Sequence, residues 1–381
     1  MAARRMKGAW WVDFYFAEKR YRLKSPVDTK RGAEEYERQL RAQILDGSFD
    51  KKEVPTFSEW WKGRFWSEWV VARKNKPSEV ESKHSIYAHH LEARFGKVHL
   101  DEITSAKIAA FRSELVEEGK SEKRINNIMA VLSKPLHYAV DAEVIAKAPK
   151  VGMYKVESPE VDFWEFEEYA KLLAAARSEG PWWYVGVCLA GEAGLRVGEL
   201  RALIWERDVD LLGKTVTIQE QMRHGSTGTP KGRTRRTVPI SSTLDAALRS
   251  LEVVRRGYVV RNVDGAPMAD GQGSHLIRRI CRRAGLRMEG WHLLRHSFAT
   301  HAALFGVNAF RLNKWLGHKT MEETMRYVHV AADHARPIPE PLLLAALNIA
   351  DPDQRVLAML GARGHLSGTE LEVNRGKEGN L

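Results

Sequence analysis

The chain opens on alternation. Trp10, Val12, Phe14 and Phe16 fall on one side of an extended backbone, Trp11, Asp13 and Tyr15 on the other, and residues 19–23 continue with basic and apolar positions interleaved. A period of two predicts two strands of a small sheet over residues 8–24, joined at residues 17–19. The period then lengthens. Thr29 stands where an N-cap belongs, and Lys30–Leu45, rich in Glu, Arg and Ala, reads as one helix. Residues 46–48 end it, and residues 51–55 read as a linker.

Residues 56–150 carry helical periodicity throughout. Thr56 and Glu59 open a first helix anchored by Trp60, Trp61, Phe65, Trp66 and Trp69. Further helices are expected at 78–93, 105–118 and 121–142, with a connector where Leu100 and Ile103 follow Phe95 and Gly96. The tryptophans read as core, because a helical bundle must bury its aromatic stripe. Residues 147–159 form a second linker. Helices at 164–176, 182–191 and 194–203 follow, the last placing Arg196 and Glu199 at i, i+3. Two β-rich runs, 214–220 and 236–240, flank a loop at 222–235, and helices are expected at 244–255 and 275–284. After residue 336 come a proline-rich connector, an apolar helix from Leu342 and a polar end. This predicts a multidomain chain, mainly α with small β-sheets, divided at 1–54, 55–150, 156–336 and 337–381.

Composition changes little in that picture. The 381 residues are 44% hydrophobic and 29% charged, with 60 Lys+Arg against 49 Asp+Glu, a net charge of +11 and a sequence pI near 9.5. The positive excess is spread over the first three segments and absent from the last, as suits a protein that wraps a polyanion. Two cysteines, Cys188 and Cys281, make no disulfide framework, and a reducing cytoplasm is expected. No secretory leader and no apolar run of membrane-spanning length is read.

The candidate chemistry lies near residue 300. On a helix His292, Arg295, His296 and Ala299 share one face. Two imidazoles flanking a guanidinium do not make a core stripe. They suit a phosphate, which arginine grips through a planar fork of donors. A zinc protease would need Glu after the first histidine, where Leu293 stands, and no metal or cofactor is expected. Leu316-Gly317-His318 follows, and nine residues past His318 stands Tyr327, a candidate oxygen nucleophile.

These motifs resemble those of the tyrosine recombinase, or phage integrase, family. His292-x-x-Arg295, Leu316-Gly317-His318 and Tyr327-Val328-His329-Val330 match its second box, and Gly194-Leu195-Arg196-Val197-Gly198-Glu199-Leu200 its first. The resemblance covers roughly residues 8–330. It implies an arm-type DNA-binding module over residues 1–54, a helical core-binding domain and an α+β catalytic domain. It implies Arg196 and Arg295 as a phosphate clamp, His292 and His318 completing the cage, and Tyr327 attacking DNA to leave a 3′-phosphotyrosine. His292 is also a candidate to accept the phenolic proton. The hairpin lysine is placed at Lys231, as acid for the leaving 5′-oxygen. Glu199 is expected to hold Arg196 or a histidine in place. Arg233, Arg235, Arg236, Arg278, Arg279 and Arg282 are candidate backbone contacts.

The implied partners are duplex DNA at core and arm sites, further copies in a homotetramer, and an accessory DNA-bending protein and an excisionase. The implied activity is site-specific recombination for integration and excision of a phage or other mobile element. Resolution of chromosome dimers, type IB topoisomerase chemistry and a catalytically silent DNA-binding relative are the alternatives.

Overall fold

The computed structural model of the chain describes residues 3–17, 19–46, 49, 54–157, 160–229, 235–251 and 255–366. Lys231 and Arg233 lie outside them. The chain divides into two compact units, Met1–Ser158 and Pro159–Leu381.

The first unit begins with a three-stranded antiparallel sheet, β1 (Ala3–Met6), β2 (Ala9–Phe16) and β3 (Lys19–Lys24), where alternation predicted two strands. The short β1 was missed because its residues are basic and small. One face packs Val12 and Phe14 against Ala33 and Leu40 of α1 (Lys30–Leu45), which Thr29 caps through the Gly32 N–H. On the other face Asp13, with its side chain 1% exposed, takes ion pairs from Arg4, Arg20 and Arg22. The Arg20 and Arg22 guanidiniums hold its carboxyl far below the ordinary range, against the burial that would raise it. A lone aspartate facing a sheet is therefore satisfied by three cations that stay about half exposed.

The rest of this unit is helical. α2 (Phe57–Trp60) starts on a reciprocal cap between Thr56 and Glu59 and widens into π-helical turns over Trp61–Val71, with Gly63 at non-helical angles. α3 (Pro77–Ile86) likewise passes through Tyr87–Leu91 into α4 (Glu92–Phe95). A 3₁₀ turn at Leu100–Glu102 leads to α5 (Ser105–Glu117) and α6 (Glu122–Asp141). Trp60 and Trp61 are fully interior, Trp60 Nε1 donating to the Pro135 carbonyl at 2.9 Å. The tryptophan stripe is core at these two positions. Trp66 and Trp69 pack on it while half-buried.

The second unit holds the largest core. α7 (Phe166–Arg177) and α8 (Pro181–Glu192) precede the short α9 (Val197–Ala202) and α10 (Trp205–Asp208). A three-stranded sheet in the order β4 (Val209–Asp210), β5 (Thr215–Ile218), β8 (Arg236–Pro239) is interrupted by the hairpin β6 (Gln221–Arg223) and β7 (Ser226–Gly228). α11 (Ser242–Arg249), α12 (Gln272–Arg283), α13 (Trp291–Leu304), α14 (Ala309–Leu316) and α15 (Met321–Asp333) complete the frame. Among the described residues, no helix is long and apolar enough to cross a membrane.

The described residues after 336 pack against their own unit. α16 (Glu340–Ala345) and α17 (Pro352–Ala362) end in a 3₁₀ turn, Arg363–His365. Val356, Leu357 and Leu360 join the same core as α8 and α13, so the segment docks on its own unit. Arg363 is fully buried there. It pairs with Glu192 at 3.0 Å, donates to the Gly191 carbonyl at 2.8 Å and meets His301 Nδ1 at 2.7 Å. Glu192 also accepts from Tyr169 and Ser241, at 2.8 Å each.

Candidate active site

Four pieces of backbone converge on one cage. α8 ends at Glu192, and two residues on Gly194 turns the chain with φ +65°, where a Cβ would stand 2.6 Å from the Phe298 ring. That turn, not a helix face, presents Arg196. Its backbone is extended and it caps α9, with Glu199 at the third helical position returning a bond to the Arg196 N–H at 2.9 Å and to its Nη1 at 3.1 Å. The expected helix over 194–203 therefore begins only at Val197. The cap fixes the relation of the two residues more firmly than i, i+3 spacing on a surface.

Glu199 is 1% exposed. Arg236 on β8 grips it with a fork, Nη1 to Oε1 at 2.9 Å and Nη2 to Oε2 at 2.6 Å, and gives its Nε to the Trp315 carbonyl at 2.8 Å. Burial by itself would raise the Glu199 carboxyl, but Arg236, with help from Arg295 and the Arg196 amide, holds it at about 2. Glu199 is thus a permanent anion that aligns two cations. Arg236, expected among the DNA-facing arginines of the loop, does not face DNA: it is buried and its nitrogens are committed to the protein.

Arg295 is 1% exposed. Its Nη1 donates to the Gly194 carbonyl and its Nη2 to the Leu316 carbonyl, each at 2.6 Å. It staples the loop that carries Arg196 to the loop that carries His318, and each Nη keeps a second N–H for a ligand. Burial first, then repulsion from Arg196 and Arg236, lowers its pKa to about 9, so it stays charged near neutrality.

His318 follows the left-handed Gly317 (φ +63°), whose missing Cβ leaves room for the Arg236 side chain 2.8 Å away. Its Nδ1 meets Thr324 Oγ1 at 2.8 Å, and Asn313 donates to the same hydroxyl at 3.0 Å. Thr324 thus engages Nδ1 and fixes the orientation of the ring. Burial, with Arg295 and Arg196, lowers the His318 pKa to about 3 and keeps the ring neutral.

Tyr327, on α15, is 5% exposed and lies parallel to the His318 ring, centroids 5.8 Å apart at 13°. Burial raises its phenol and the guanidiniums of Arg295, Arg326 and Arg196 pull it back. The phenol rests protonated. Its hydroxyl is bonded to His296 Nδ1 at 2.7 Å, a contact that sequence motifs did not assign. The available signal was the position of His296 on the His292 face, one turn on. His292 is exposed, edge-on to His296 with centroids 4.3 Å apart, and lines with Arg196 a cleft of about 440 Å³. Five of the six residues expected to act are brought together. Lys231, the sixth, lies outside the described residues.

The remaining candidate DNA contacts divide. Arg235 is exposed just before β8. On α12, Arg278 and Arg282 are exposed, whereas Arg279 pairs with Glu179 at 2.6 Å, which lowers the charge it offers.

Residues 162–334 match the phage integrase family. The chain is 26% identical over 302 residues to a tyrosine recombinase XerC-like protein of Caldanaerobacter subterraneus, covering 68% of this chain and 76% of that one. It is 24% identical over 348 residues to the ICEBs1 integrase of Bacillus subtilis, covering 84% and 92%. Its fold is similar to that of the Tn1549 transposon integrase solved with circular intermediate DNA (TM-score 0.62, 17% identity, 71% and 94% covered). It is also similar to that of a lambda integrase tetramer bound to a Holliday junction (TM-score 0.63, 19% identity, 88% and 96% covered). Motifs, cage and relatives agree on one class, and residues 162–334 of the chain form a domain of the phage integrase family.

Proposed function

We propose that this protein is a site-specific DNA recombinase that integrates and excises a phage or other mobile element, cutting and rejoining strands through an ester on Tyr327. The observation that carries the reading is a buried phenol facing two fixed guanidiniums, one stapled by two backbone carbonyls and the other aligned by a buried carboxylate. A phosphodiester resists attack because charge accumulates on its non-bridging oxygens, and preorganised cationic donors answer that charge. Arg196 and Arg295 bind those oxygens, and the rings of His318 and His292 complete the cage. The Tyr327 oxygen bonds to phosphorus, the 5′-oxygen leaves and Lys231 protonates it, an assignment supported by sequence context. The 3′-phosphotyrosine keeps the energy of the broken bond, so a second strand's 5′-hydroxyl reverses the step.

Around that centre the three-stranded sheet with α1 serves arm sites, the helical bundle grips the core site, and four copies act together on duplex DNA in the cytoplasm. A bending protein and an excisionase set direction. Supporting this is the ICEBs1 integrase match over most of the chain. Chromosome-dimer resolution is the second reading, favoured by the XerC-like relatives. Exchange between the two ends of the host element, and not between chromosomal sites, separates the two. The primary test is a nicked suicide duplex spanning the element's end junction. Wild type becomes covalently attached to it; Tyr327→Phe binds it without attachment. A variant that still forms the adduct, or a wild type that never does, removes the reading.

A further inference from the structure

We infer that His296 is the base that takes the Tyr327 hydroxyl proton during strand cleavage, a role that motif matching gives to His292. The inference rests on the recombinase reading above. Tyr327 carries one hydroxyl proton, and the hydroxyl is bonded to His296 Nδ1 at 2.7 Å, within the range needed for direct transfer. His318, the other imidazole against the phenol, is not placed to accept: Thr324 occupies its Nδ1 and its ring lies parallel to the phenol, centroids 5.8 Å apart. His292 touches the His296 ring edge-on and lies on the cleft side with Arg196, which suits a phosphate contact.

Position supports the division of labour. α13 sets His292, Arg295 and His296 on consecutive turns, so one rigid element holds a phosphate donor, the buried clamp and the base. The groups facing His296 are His292 and Arg295 on its own helix, Arg326 and Tyr327 on α15, and His318. Burial and its cationic neighbours lower the imidazole to about 4 while burial raises the phenol. In the free protein the proton therefore stays on oxygen. A phosphodiester entering the cage offsets those positive charges and brings the two affinities closer, so the nucleophile is activated by its substrate.

The step balances. The proton moves from Tyr327 Oη to His296 Nδ1, the Oη–P bond forms, the P–O5′ bond breaks, and the 5′-oxygen takes a proton from Lys231. In rejoining, the imidazolium returns its proton to the departing Tyr327 oxygen.

The test uses the full chain on the nicked suicide duplex, with an ordinary 5′-bridging oxygen and with a 5′-bridging sulfur. A sulfur leaving group needs no acid but still needs a base on the tyrosine. His296→Ala should bind the duplex as wild type does and form the adduct about 10²–10⁴-fold more slowly on both substrates, with added imidazole restoring part of the rate. His296→Asn supplies an acceptor without a proton-binding nitrogen and should stay equally slow. A near-wild-type rate in the Asn variant, or recovery of the Ala variant on the sulfur substrate alone, overturns the assignment. If wild type forms a Tyr327-dependent adduct and the His296 variants match it, only this inference fails; if wild type forms none, the recombinase reading fails first.

Discussion

Arg363 and Glu192 meet with both side chains fully buried. Removing one partner of such a pair leaves the other charge without compensation in the interior, a loss of about 3–5 kcal/mol. Glu192 retains Tyr169 and Ser241, which places Arg363→Met toward the lower end. Burial already pushes the Glu192 carboxyl up even with Arg363 beside it, so without the cation it goes higher still. Glu192→Gln strands the guanidinium in turn, with the Gly191 and Leu360 carbonyls and His301 left as partners. Because each single change leaves a buried group uncompensated and the double change removes that conflict, the double variant should cost less than the sum of the singles by at least about 2 kcal/mol. Native-state hydrogen exchange of peptides from α8, α13 and α17 reads the opening free energy of this unit apart from the rest of the chain. The α13 peptides should respond, since His301 is bonded to Arg363. Additive costs within about 0.5 kcal/mol, or an Arg363→Met loss confined to α17, would refute the view that the C-terminal segment is locked into the catalytic core.

Three further outcomes follow from the cage. The Glu199 carboxyl sits at about 2 against an ordinary 4.5, worth about 3 kcal/mol of stability. Because the folded value is the lower one, that contribution is complete above pH 4.5 and lost as pH falls toward 2, so acid unfolding of Glu199→Gln should lack this component. Arg295→Lys cannot bond both the Gly194 and Leu316 carbonyls and still donate to phosphate; single-turnover cleavage should fall by about 10²-fold or more, with duplex binding in a gel-shift assay much less affected. Gly317→Ala pays for a left-handed residue, about 1–2 kcal/mol, and drives a Cβ to 2.8 Å from Arg236, so thermal unfolding and cleavage rate should both decline.

Much of this protein was written in its local patterns. Strand alternation around Trp10–Phe16, the Thr29 cap and the 3.6-residue stripes depend on neighbours a few positions apart, and such neighbours are visible along a chain. So were Arg196, His292, Arg295, His318 and Tyr327, because spaced motifs preserve the order in which elements deliver side chains. β1 was not legible, since its small and basic residues have no apolar rhythm and are held by pairing with β2.

What the sequence could not assign were the partners of buried polar groups. Arg236 looked like one more loop cation, yet it lies beneath the site because Glu199, thirty-seven residues earlier, is brought against it by the fold. Nor could the sequence say what the apolar helix from Leu342 packs on; Arg363 meets Glu192 across the packed helices of one unit. His296 differs from His292 only in which neighbour the turn of α13 offers it, and that neighbour is the Tyr327 hydroxyl. An unpaired buried charge costs several kcal/mol whatever its position in the chain, so the fold must satisfy each one through contacts distant in sequence, and those contacts decide which cation faces the cleft, which lies beneath it and which imidazole stands by the Tyr327 hydroxyl.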